Sequence, residues 1–579
     1  MPASTQKLQS LLDDFRSAGG FIDKNISFEF SDSKGIHAIY TGEQNFDLTK
    51  DLIKVPEDYT ISVTLAEELF GLTIVPTGNR NVLLLFLLAK LRFDPNDTII
   101  NDVNVSQKFR SYIDILPTGR EIGSPLFWTA EERDLIWGTD VVSSMTGAVP
   151  QFIKSWYTTV SKFNKNILPG TAEEDFKFYE NFKTSKDFKQ EQFVSYYNQP
   201  QSWTSFPAYL WAFAILTSRG FPLFINPDKK AKDVNEAFLL PIFDLLNHDN
   251  KSKVEWELKD ENYTFKVKSE LSKGQEVLNS YGPKNNETLL LNYGFVLEKN
   301  DADNTGISLR IPDDLSVVEA RSFGLDIKSH EVSYKIDHEH KLPIEFVNLL
   351  AFLVKTKEEK TLTLRNQVKG LKQLLQILTA KIEILKNQPV PQNNSINGKY
   401  IKNAKIYKNT QRQFFQTAFE DFLKVEKDIL KKYKPLSFKT VFKNDKRFAS
   451  ALLLAFGIDS YEKLSKTDDI NHAILLWLIR VGNKKHYPQD ERAHLPDWIH
   501  DKYVKLLQTT KITANEVHEF TPYYNSLFPK LAENIPEIFA KGDWNLRAFV
   551  IAEKLVDEIV VERQANNEMF ILHDLRLQI

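Results

Sequence analysis

The hydrophobic pattern of the chain changes near residue 305, and this change constrains the fold more than any other feature. Before it, apolar residues alternate with polar ones in residues 254–258 and 263–267, which predicts a β-hairpin with one buried face. After it, leucines recur at helical spacing, as in residues 371–378. Because 579 residues are too many for one hydrophobic core, we predict a mixed α and β first half and an all-helical second half.

Shorter patterns add elements to the first half. The β-rich runs 26–30 and 36–40 are separated by a turn signature at residues 31–35. Apolar residues at helical spacing predict helices over residues 63–70, 81–93 and 206–217, and Leu8, Leu11, Leu12 and Phe15 share one face of an N-terminal helix. We expect that helix to stop at Gly19-Gly20.

Composition excludes several kinds of site. The chain has no cysteine, so disulfides, a thiol nucleophile and thiolate zinc sites are excluded. Its net charge of -3 gives no long-range attraction to nucleic acid, although a local basic patch is left open. The first 15 residues lack the apolar core of a signal peptide, and the most apolar run ends at Lys90, short of a membrane span. We therefore expect a soluble intracellular protein of the cytoplasm that does not bind membranes, with the nucleus left open as a second location.

The residues with the strongest chemical pattern lie in the middle of the chain. Residues 240–248 read LPIFDLLNH, residues 279–286 read NSYGPKNN and residues 289–296 read LLLNYGFV. Taken alone, each block has an ordinary structural interpretation, such as a turn, a strand end or a helix exit with core aromatics. The phosphate-binding, dinucleotide-binding, metalloprotease and hydrolase signatures are missing from the sequence.

In combination and order, these blocks resemble the SET-domain methyltransferases. The resemblance is to the branch that includes the plant Rubisco large-subunit methyltransferase and fungal ribosomal-protein lysine methyltransferases. Residues 34–38, 112–117 and 124–128 look like further blocks of that branch, and Ser218-Arg219 looks like the pair that precedes its Asn-His motif. The zinc-binding cysteines of many histone methyltransferases are absent, which favours the zinc-free branch and no metal.

The resemblance implies an α+β fold. It implies an N-terminal helix in residues 1–20, followed by a SET domain in residues 21–300. That domain is expected to be a β-fold that contains a pseudoknot and a helical insert at about residues 130–210. Residues 301–579 are similar to the helical substrate-binding domain of the branch.

The resemblance also implies roles for particular residues. Tyr281 is expected to be catalytic, with its phenol oxygen directed at the transferred methyl group. The expected contacts to the donor, S-adenosylmethionine, are Lys34, Gly35, Ile36, Arg219, Asn247, His248 and Phe295. Tyr281 and Tyr293 would line the lysine channel, and Asp244 is a candidate for support behind them or for a structural role.

The implied activity is methylation of a lysine side chain on a non-histone protein. Analogy with the branch favours a ribosomal protein, and the alternatives are a translation elongation factor, cytochrome c or a histone. A further alternative is a non-catalytic SET-like binding protein. We expect a monomer whose partner is the protein substrate, with no direct binding to nucleic acid.

Overall fold

The chain folds into two compact units that are not consecutive in the sequence. The computed structural model describes residues 3–31, 34–71, 79–226, 236–312, 317–387, 396–573 and 577. The first unit comprises Met1–Thr305 and Ile384–Arg412, and the second comprises Gly306–Glu383 and Gln413–Ile579. The sequence predicted one contiguous domain after residue 300, whereas residues 384–412 belong to the first unit. The reason is packing, because Tyr400, Ala404 and Tyr407 recur at helical spacing and are buried in the hydrophobic core of the first unit.

The strands of the first unit form small antiparallel sheets. Their bounds are β1 Phe21–Ile22, β2 Ile26–Ser31, β3 Gly35–Tyr40, β4 Ile53–Pro56, β5 Ile61–Ser62, β6 Ile99–Ile100, β7 Val103–Asn104, β8 Gly220–Pro222, β9 Ala237–Leu239, β10 Val254–Lys259, β11 Asn262–Val267 and β12 Glu276–Val277. The sheet orders are β1-β4-β11-β10, β12-β3-β2, β5-β9-β8 and β6-β7. The predicted hairpin is β10–β11, with its turn at Asp260 and Glu261, both at positive φ. The turn predicted at residues 31–35 includes Asp32 and Ser33, which lie outside the described residues.

The described residues between β5 and β8 are mainly helical, apart from the short β6–β7 pair, and they include the helical insert expected at about residues 130–210. The helices of the first unit are α1 Ala3–Ser17, α2 Val63–Phe70, α3 Asn81–Phe93, α4 Val105–Lys108, α5 Arg110–Ile115, α6 Gly119–Ile122, α7 Ala130–Asp134, α8 Asp140–Val160, α9 Ala172–Thr184, α10 Val194–Tyr197, α11 Phe206–Arg219 and α12 Asn286–Thr288. A π-helix, Leu289–Tyr293, continues α12 directly.

The most apolar helices are buried together at the centre of the first unit. Helix α3 has nine buried residues and packs against α11, which has ten. A helix that is apolar on all faces must be surrounded by protein or by lipid. Its neighbours here show that protein surrounds α3, as the sequence predicted. Across the described residues, no helix combines the length and apolar character needed to cross a membrane.

The second unit is mainly helical. Its helices are α13 Val317–Arg321, α14 Ile344–Leu353, α15 Leu364–Lys386, α16 Gly398–Tyr433, α17 Phe438–Asn444, α18 Lys446–Phe456, α19 Tyr461–Leu464, α20 Asp469–Gly482, α21 Gln489–Arg492, α22 Asp497–Thr509, α23 Ala514–Leu527, α24 Lys530–Asn534, α25 Pro536–Phe539 and α26 Leu546–Ile559, where α15 and α16 extend into residues of the first unit. Helices α20, α22, α23 and α26 pack around one core.

The second half is not entirely helical, which corrects the sequence prediction. Strands β13 Asn304–Arg310 and β14 Glu331–Asp337 form one sheet, and β15 Leu436–Ser437, β16 Val560–Arg563 and β17 Glu568–Ile571 form another. These strands are two to seven residues long and lie in a mainly helical part of the chain. Short runs of this kind carry little periodic signal. The α+β class is confirmed.

Candidate active site

The two central blocks of the sequence lie side by side in the structure. The backbone N–H of Asn279 donates to the carbonyl of Asn247 at 2.7 Å, and the N–H of Asp249 donates to the carbonyl of Asn279 at 3.0 Å. These bonds form a parallel bridge between His248 and Asn279. In such a bridge the backbone N–H and C=O of His248 point away from Asn279. This pairing joins the Asn-His block to the segment that carries Tyr281.

Tyr281 is held from three directions. Its hydroxyl donates to the carbonyl of Leu246 at 2.9 Å, and its backbone N–H donates to Nδ1 of His248 at 3.0 Å. Its ring is stacked between His248, at 4.7 Å between centroids, and Tyr293, at 4.8 Å. Phe295 then packs edge-on against Tyr293 at 6.2 Å. The four aromatic side chains form a continuous stack, which we call the aromatic stack.

The hydrogen bonds of His248 define its protonation state. Because Nδ1 accepts from the Tyr281 backbone, the ring proton must be on Nε2, which donates to Oδ1 of Asn250 at 2.7 Å. Burial lowers the pKa of His248, which favours this neutral form. A second proton on Nδ1 would place two donors against each other at Tyr281.

Tyr281 is neutral over the whole physiological pH range. Burial raises the pKa of its phenol well above the ordinary value of 10.0, although the positive charge of Arg219 acts in the opposite direction. Burial also raises the pKa of Tyr293 to about 12. Neither phenol is therefore a candidate for a general base.

Behind Tyr281 lies a buried group of polar side chains. Nη1 of Arg219 donates to the Asp244 carboxylate at 3.1 Å and to the Asp244 carbonyl at 3.0 Å, while the hydroxyl of Tyr112 donates to the same carboxylate at 2.9 Å. Burial raises the pKa of Asp244, and Arg219 opposes that shift. The other carboxylate oxygen, Oδ1, has no hydrogen-bond partner among the described residues. Asp244 thus fixes the orientation of the Arg219 guanidinium through the hydrogen bonds that it accepts from Nη1.

The turn that presents Asp244 is strained. Ile242 is fully buried and has a φ of +74°, a conformation that β-branched residues rarely adopt. Its side chain is held in the core, so burial opposes relaxation of the turn. Strain of this kind persists where the surrounding structure determines the backbone.

A second polar group joins the first turn to the Asn-His block. Nδ2 of Asn247 donates to Oε1 of Glu276 at 2.9 Å and to the carbonyl of Lys34 at 3.3 Å, and Nζ of Lys34 pairs with Oε2 of Glu276 at 2.6 Å. Burial acts to raise the pKa of Glu276, but the hydrogen bonds from Lys34 and Asn247 outweigh it and hold the pKa below its usual range. These contacts connect β12 and the loop before β3 to Asn247.

Two glycines near the site are required for different reasons. Gly35 has a φ of +68°, and the space where a Cβ would point is open within 4 Å. Gly294 has a φ of +70°, and a Cβ there would lie 2.0 Å from the carbonyl oxygen of Ile122 and 2.7 Å from the carbonyl carbon of Gly123. At Gly35, glycine is needed because the backbone has a positive φ, and the space beside it is open. At Gly294, glycine is also needed because two backbones approach each other closely.

Sequence reasoning missed a buried amide network that supports His248. Nδ2 of Asn250 donates to Oδ1 of Asn300 at 2.9 Å, Nδ2 of Asn300 donates to Oδ1 of Asn286 at 3.2 Å, and Nδ2 of Asn286 donates to Asp303 at 2.8 Å. Asn286, Asn300 and Asp303 are all buried. The adjacent asparagines in the block at residues 279–286 were the available signal, because asparagine is seldom buried without a partner.

The structure brings the predicted site residues into two linked groups. Tyr281, Tyr293, His248 and Phe295 form the aromatic stack, with Arg219 close enough to Tyr281 to affect its pKa. Lys34, Gly35, Ile36 and Asn247 form the second group, where β3 is paired with β12. The two groups are covalently adjacent, because Asn247 of the second group is followed in the chain by His248 of the aromatic stack. Within the described ranges, no cluster of three or more His, Asp or Glu side chains is arranged to hold a metal ion.

Comparison with solved structures identifies the fold. The crystal structure of the SET domain of LSMT bound to MeLysine and AdoHcy matches with a TM-score of 0.53 at 16% identity, and covers 73% of this chain and 93% of that one. The structure of Rubisco LSMT bound to AdoMet matches with a TM-score of 0.54 at 14% identity and the same coverage. The fold is that of the SET-domain enzymes.

Sequence comparisons cover nearly the whole chain. Protein-lysine N-methyltransferase EFM1 of Saccharomyces cerevisiae is 30% identical over 588 residues, which span 98% of each chain. Ribosomal lysine N-methyltransferase 1 of the same yeast is 28% identical over 561 residues, spanning 90% of this chain and 93% of its own. Ribosomal lysine N-methyltransferase set10 of Schizosaccharomyces pombe is 23% identical, spanning 74% of this chain and 75% of its own. A family model described as the EFM1 middle domain matches residues 304–433.

The chain therefore belongs to the SET-domain protein-lysine N-methyltransferases. It is an enzyme, and the resemblance identified from the central blocks is confirmed.

Proposed function

We propose that the protein transfers a methyl group from S-adenosylmethionine to a lysine side chain of a ribosomal protein. The observation that carries the proposal is the fixed orientation of Tyr281, whose hydroxyl donates its hydrogen to Leu246 within the aromatic stack. The solved neighbours support the chemistry, since they are described as bound to AdoMet, AdoHcy and methyllysine.

The residues around the second polar group fit the donor. The open space at Gly35 allows a ligand to approach the backbone at Lys34 to Ile36, and the outward backbone groups of His248 can bind polar edges of an adenine. Since Nη1 of Arg219 is engaged by Asp244, its Nε and Nη2 can form the planar fork that binds a carboxylate. Phe295, at the end of the aromatic stack, offers an apolar face to the donor.

The lysine amine must be neutral before it can accept a methyl group. A free lysine has a pKa of about 10.4, and burial in an apolar channel lowers it. Tyr281 and Tyr293 are stacked on each other, so they would line such a channel side by side with their ring edges and hydroxyl groups. Bound S-adenosylmethionine supplies an electrophilic methyl group on a positively charged sulfur, which disfavours the protonated amine further.

Tyr281 would act by electrostatic orientation. Its hydroxyl hydrogen is committed to Leu246, so the lone pairs of the phenol oxygen remain for the polarised C–H groups of a transferring methyl. Burial keeps the phenol neutral, the negative charge of Asp244 raises the pKa of Tyr281 further, and the positive charge of Arg219, which is paired with Asp244, acts in the opposite direction. Most of the rate acceleration would come from alignment of amine, methyl and sulfur.

The choice of a ribosomal protein rests on the named activities of two relatives from two yeasts, which span 90% and 74% of this chain. An elongation factor, cytochrome c and a histone remain outcomes of the experiment. We also propose a cytoplasmic, monomeric enzyme.

The proposal is tested by supplying tritiated-methyl S-adenosylmethionine to the enzyme with fractionated lysate from cells that lack it. The fractions are ribosomal particles, soluble translation factors, mitochondrial proteins and histones. We expect a labelled lysine in one protein of the ribosomal fraction. Label confined to another fraction would show that the substrate is not a ribosomal protein but a protein of that fraction. Label in none of the fractions would contradict the proposed reaction.

A further inference from the structure

The side-chain amide of Asn250 faces the ring of His248. Nε2 of His248 and Oδ1 of Asn250 are 2.7 Å apart. An asparagine side chain has an acceptor oxygen on one side and two donor hydrogens on the other. The orientation of this amide therefore bears on which ring nitrogen of His248 carries the proton.

Backbone groups fix the orientation of Asn300, the next amide in the network. Its Nδ2 donates to the carbonyl of Lys284 at 2.9 Å, and its Oδ1 accepts from the N–H of Ala302 at 3.1 Å. A backbone carbonyl can only accept and a backbone N–H can only donate, so an exchange of O and N would break both bonds. Asn300 is buried, and unpaired polar groups are costly in the protein interior.

The amide of Asn286 is fixed in the same way. Its Nδ2 donates to the carbonyl of Leu297 at 3.0 Å, and its Oδ1 accepts from the N–H of Leu297 at 2.9 Å. The same Oδ1 accepts from Nδ2 of Asn300 at 3.2 Å, which is consistent with the orientation that the backbone gives to Asn300.

These two amides leave one orientation for Asn250. Oδ1 of Asn300 is an acceptor, so the group of Asn250 that faces it at 2.9 Å must be Nδ2. Oδ1 of Asn250 then faces His248, whose Nε2 must carry the hydrogen. The backbone N–H of Tyr281 requires the same proton position from the other side of the ring, because it donates to Nδ1 at 3.0 Å.

We propose that Asn250 is a positioning residue, whose fixed amide keeps His248 neutral with its proton on Nε2, so that Nδ1 remains an acceptor for the backbone of Tyr281. This rests on the proposed function, which assigns Tyr281 its role at the methyl group. Asn250 acts through His248 and not on the donor or the substrate. An amide suits this task because it accepts from Nε2 without the negative charge that would stabilise an imidazolium.

The other groups around His248 act on its charge in both directions. Burial is the largest influence and lowers its pKa, whereas the hydrogen bond with Asn250 raises it. The negative charge of Asp249 also raises the pKa, and the positive charge of Lys284 lowers it. Tyr281, which is stacked on the ring, is uncharged. A charge placed at the acceptor of Nε2 should therefore change the protonation of His248.

The test is Asn250→Asp, which keeps the shape and the acceptor at Nε2 and adds a negative charge. The pKa of His248 should rise above its ordinary value of about 6.5. The protonated Nδ1 would then face the N–H of Tyr281, with a donor against a donor. Below the raised pKa, the methyl-transfer rate relative to wild type should fall up to about tenfold per pH unit, and it should recover above that pKa.

The rate is measured from about pH 6 to pH 9 with tritiated-methyl S-adenosylmethionine and lysate from cells that lack the enzyme. Dividing the rate of the variant by that of wild type at each pH removes the contribution of the substrate amine, which is the same for both. A residue that served only for stability would lower this ratio equally at every pH.

The protonation of His248 is observed directly by NMR of the full-length enzyme with ¹⁵N-labelled histidine, without donor or substrate. The signals of His248 are those that disappear in His248→Gln. We expect the wild type to carry its proton on Nε2 across this pH range, and Asn250→Asp to carry protons on both ring nitrogens near neutral pH. Asn250→Ala removes the acceptor without adding charge, so a form with the proton on Nδ1 should appear while the rate ratio stays the same at every pH.

The matched control is Asn285→Asp. Asn285 also donates by Nδ2 to Oδ1 of a second asparagine, Asn304, at 3.1 Å, and its Oδ1 also accepts, from the N–H of Thr288 at 2.9 Å. Within the described residues it has no hydrogen bond to His248. The control adds the same charge, and its rate ratio should not change with pH.

Three results would overturn the proposal: a wild-type His248 with its proton on Nδ1, a rate ratio for Asn250→Asp that does not change with pH, or the same pH dependence in Asn285→Asp. Failure of the proposed function is distinguishable, because the NMR experiment uses neither donor nor substrate. The expected NMR result with no label in any lysate fraction contradicts only the proposed reaction. Labelled ribosomal protein together with a wild-type proton on Nδ1 contradicts only the role of Asn250.

Discussion

The hydroxyl of Tyr281 donates its hydrogen to the carbonyl of Leu246 at 2.9 Å, and this bond determines what the phenol can do. A phenol whose hydrogen is committed, and whose pKa is raised by burial, is neither an acid nor a base near neutral pH. The phenol oxygen of Tyr281 can therefore act only as a hydrogen-bond acceptor of fixed orientation. The account of the reaction depends on that state.

The pH dependence of kcat/KM should reflect the substrate lysine and not Tyr281. We expect the rate to rise with pH as more amine is neutral, and not to fall between about pH 8 and pH 10, because the pKa of Tyr281 lies above the usual value of about 10. Initial rates across this range provide the measurement. A decline with an apparent pKa near 10 in the stable enzyme would show that the phenol ionises and would contradict the assigned state.

Asn247→Ala should weaken donor binding. The substitution removes the amide that donates to the Lys34 carbonyl and to Glu276, so the turn at Gly35 loses a support worth about 1–2 kcal/mol, or roughly 5- to 30-fold in affinity. Calorimetry with S-adenosylmethionine measures the change. The control is Asn262→Ala, which removes a similar amide-to-carbonyl bond, to Asp260, in the exposed hairpin turn. Equal donor affinity in both variants would refute the role of Asn247.

Gly294→Ala should destabilise the first unit far more than Gly274→Ala. Both residues have positive φ, so both substitutions incur about 1–2 kcal/mol of backbone strain. Only at Gly294 would the new Cβ also collide with the backbone of Ile122 and Gly123, whereas the space at Gly274 is open within 4 Å. Denaturant unfolding followed by tryptophan fluorescence compares the two. Equal losses would mean that the close approach is not maintained in solution.

Glu276→Gln should change how stability depends on acid. The pKa of Glu276 is lowered in the folded state, so between the folded and unfolded pKa values the unfolded chain binds more protons. The stabilisation by the carboxylate is therefore complete above the ordinary value of 4.5 and is lost as the pH falls through the lower folded value.

The measurement for Glu276 is the free energy of unfolding of wild type and Glu276→Gln from pH 7 down to pH 4. Their difference should stay constant down to about pH 5 and shrink below it. A difference that widens with acid would show that the folded pKa is raised instead.

Much of the site could be predicted because its residues are grouped in short blocks. Tyr281, Asn247 and His248 were found from the order of those blocks, and the structure places the blocks against each other. Helices α2 and α3 were predicted with their exact bounds, since long apolar patterns give a strong helical signal. The contribution of each predicted residue to donor and lysine binding stays a prediction.

Other features could not be predicted from a single sequence. The hydrogen bonds of Asn250, Asn286 and Asn300 join residues up to 50 positions apart, and side-chain pairing over such separations leaves no periodic pattern. The return of residues 384–412 to the first unit depends on which core the buried face of α16 enters, and periodicity shows only that such a face exists. The same is true of the tautomer of His248, which follows from its contact with Tyr281.

The central claim is tested most directly by methyl transfer with Tyr281→Phe. Purified wild type, Tyr281→Phe and the control Tyr179→Phe, which removes a hydroxyl from α9 in the helical insert, are each given tritiated-methyl S-adenosylmethionine and lysate from cells that lack the protein. Donor affinity is measured for each by calorimetry. We predict that Tyr281→Phe loses about 100-fold or more of the transfer rate and retains donor affinity, because the hydroxyl is bonded to Leu246 and is assigned a contact to the donor only at the methyl group in the transition state. A transfer rate for Tyr281→Phe equal to that of wild type and Tyr179→Phe would contradict the role assigned to Tyr281.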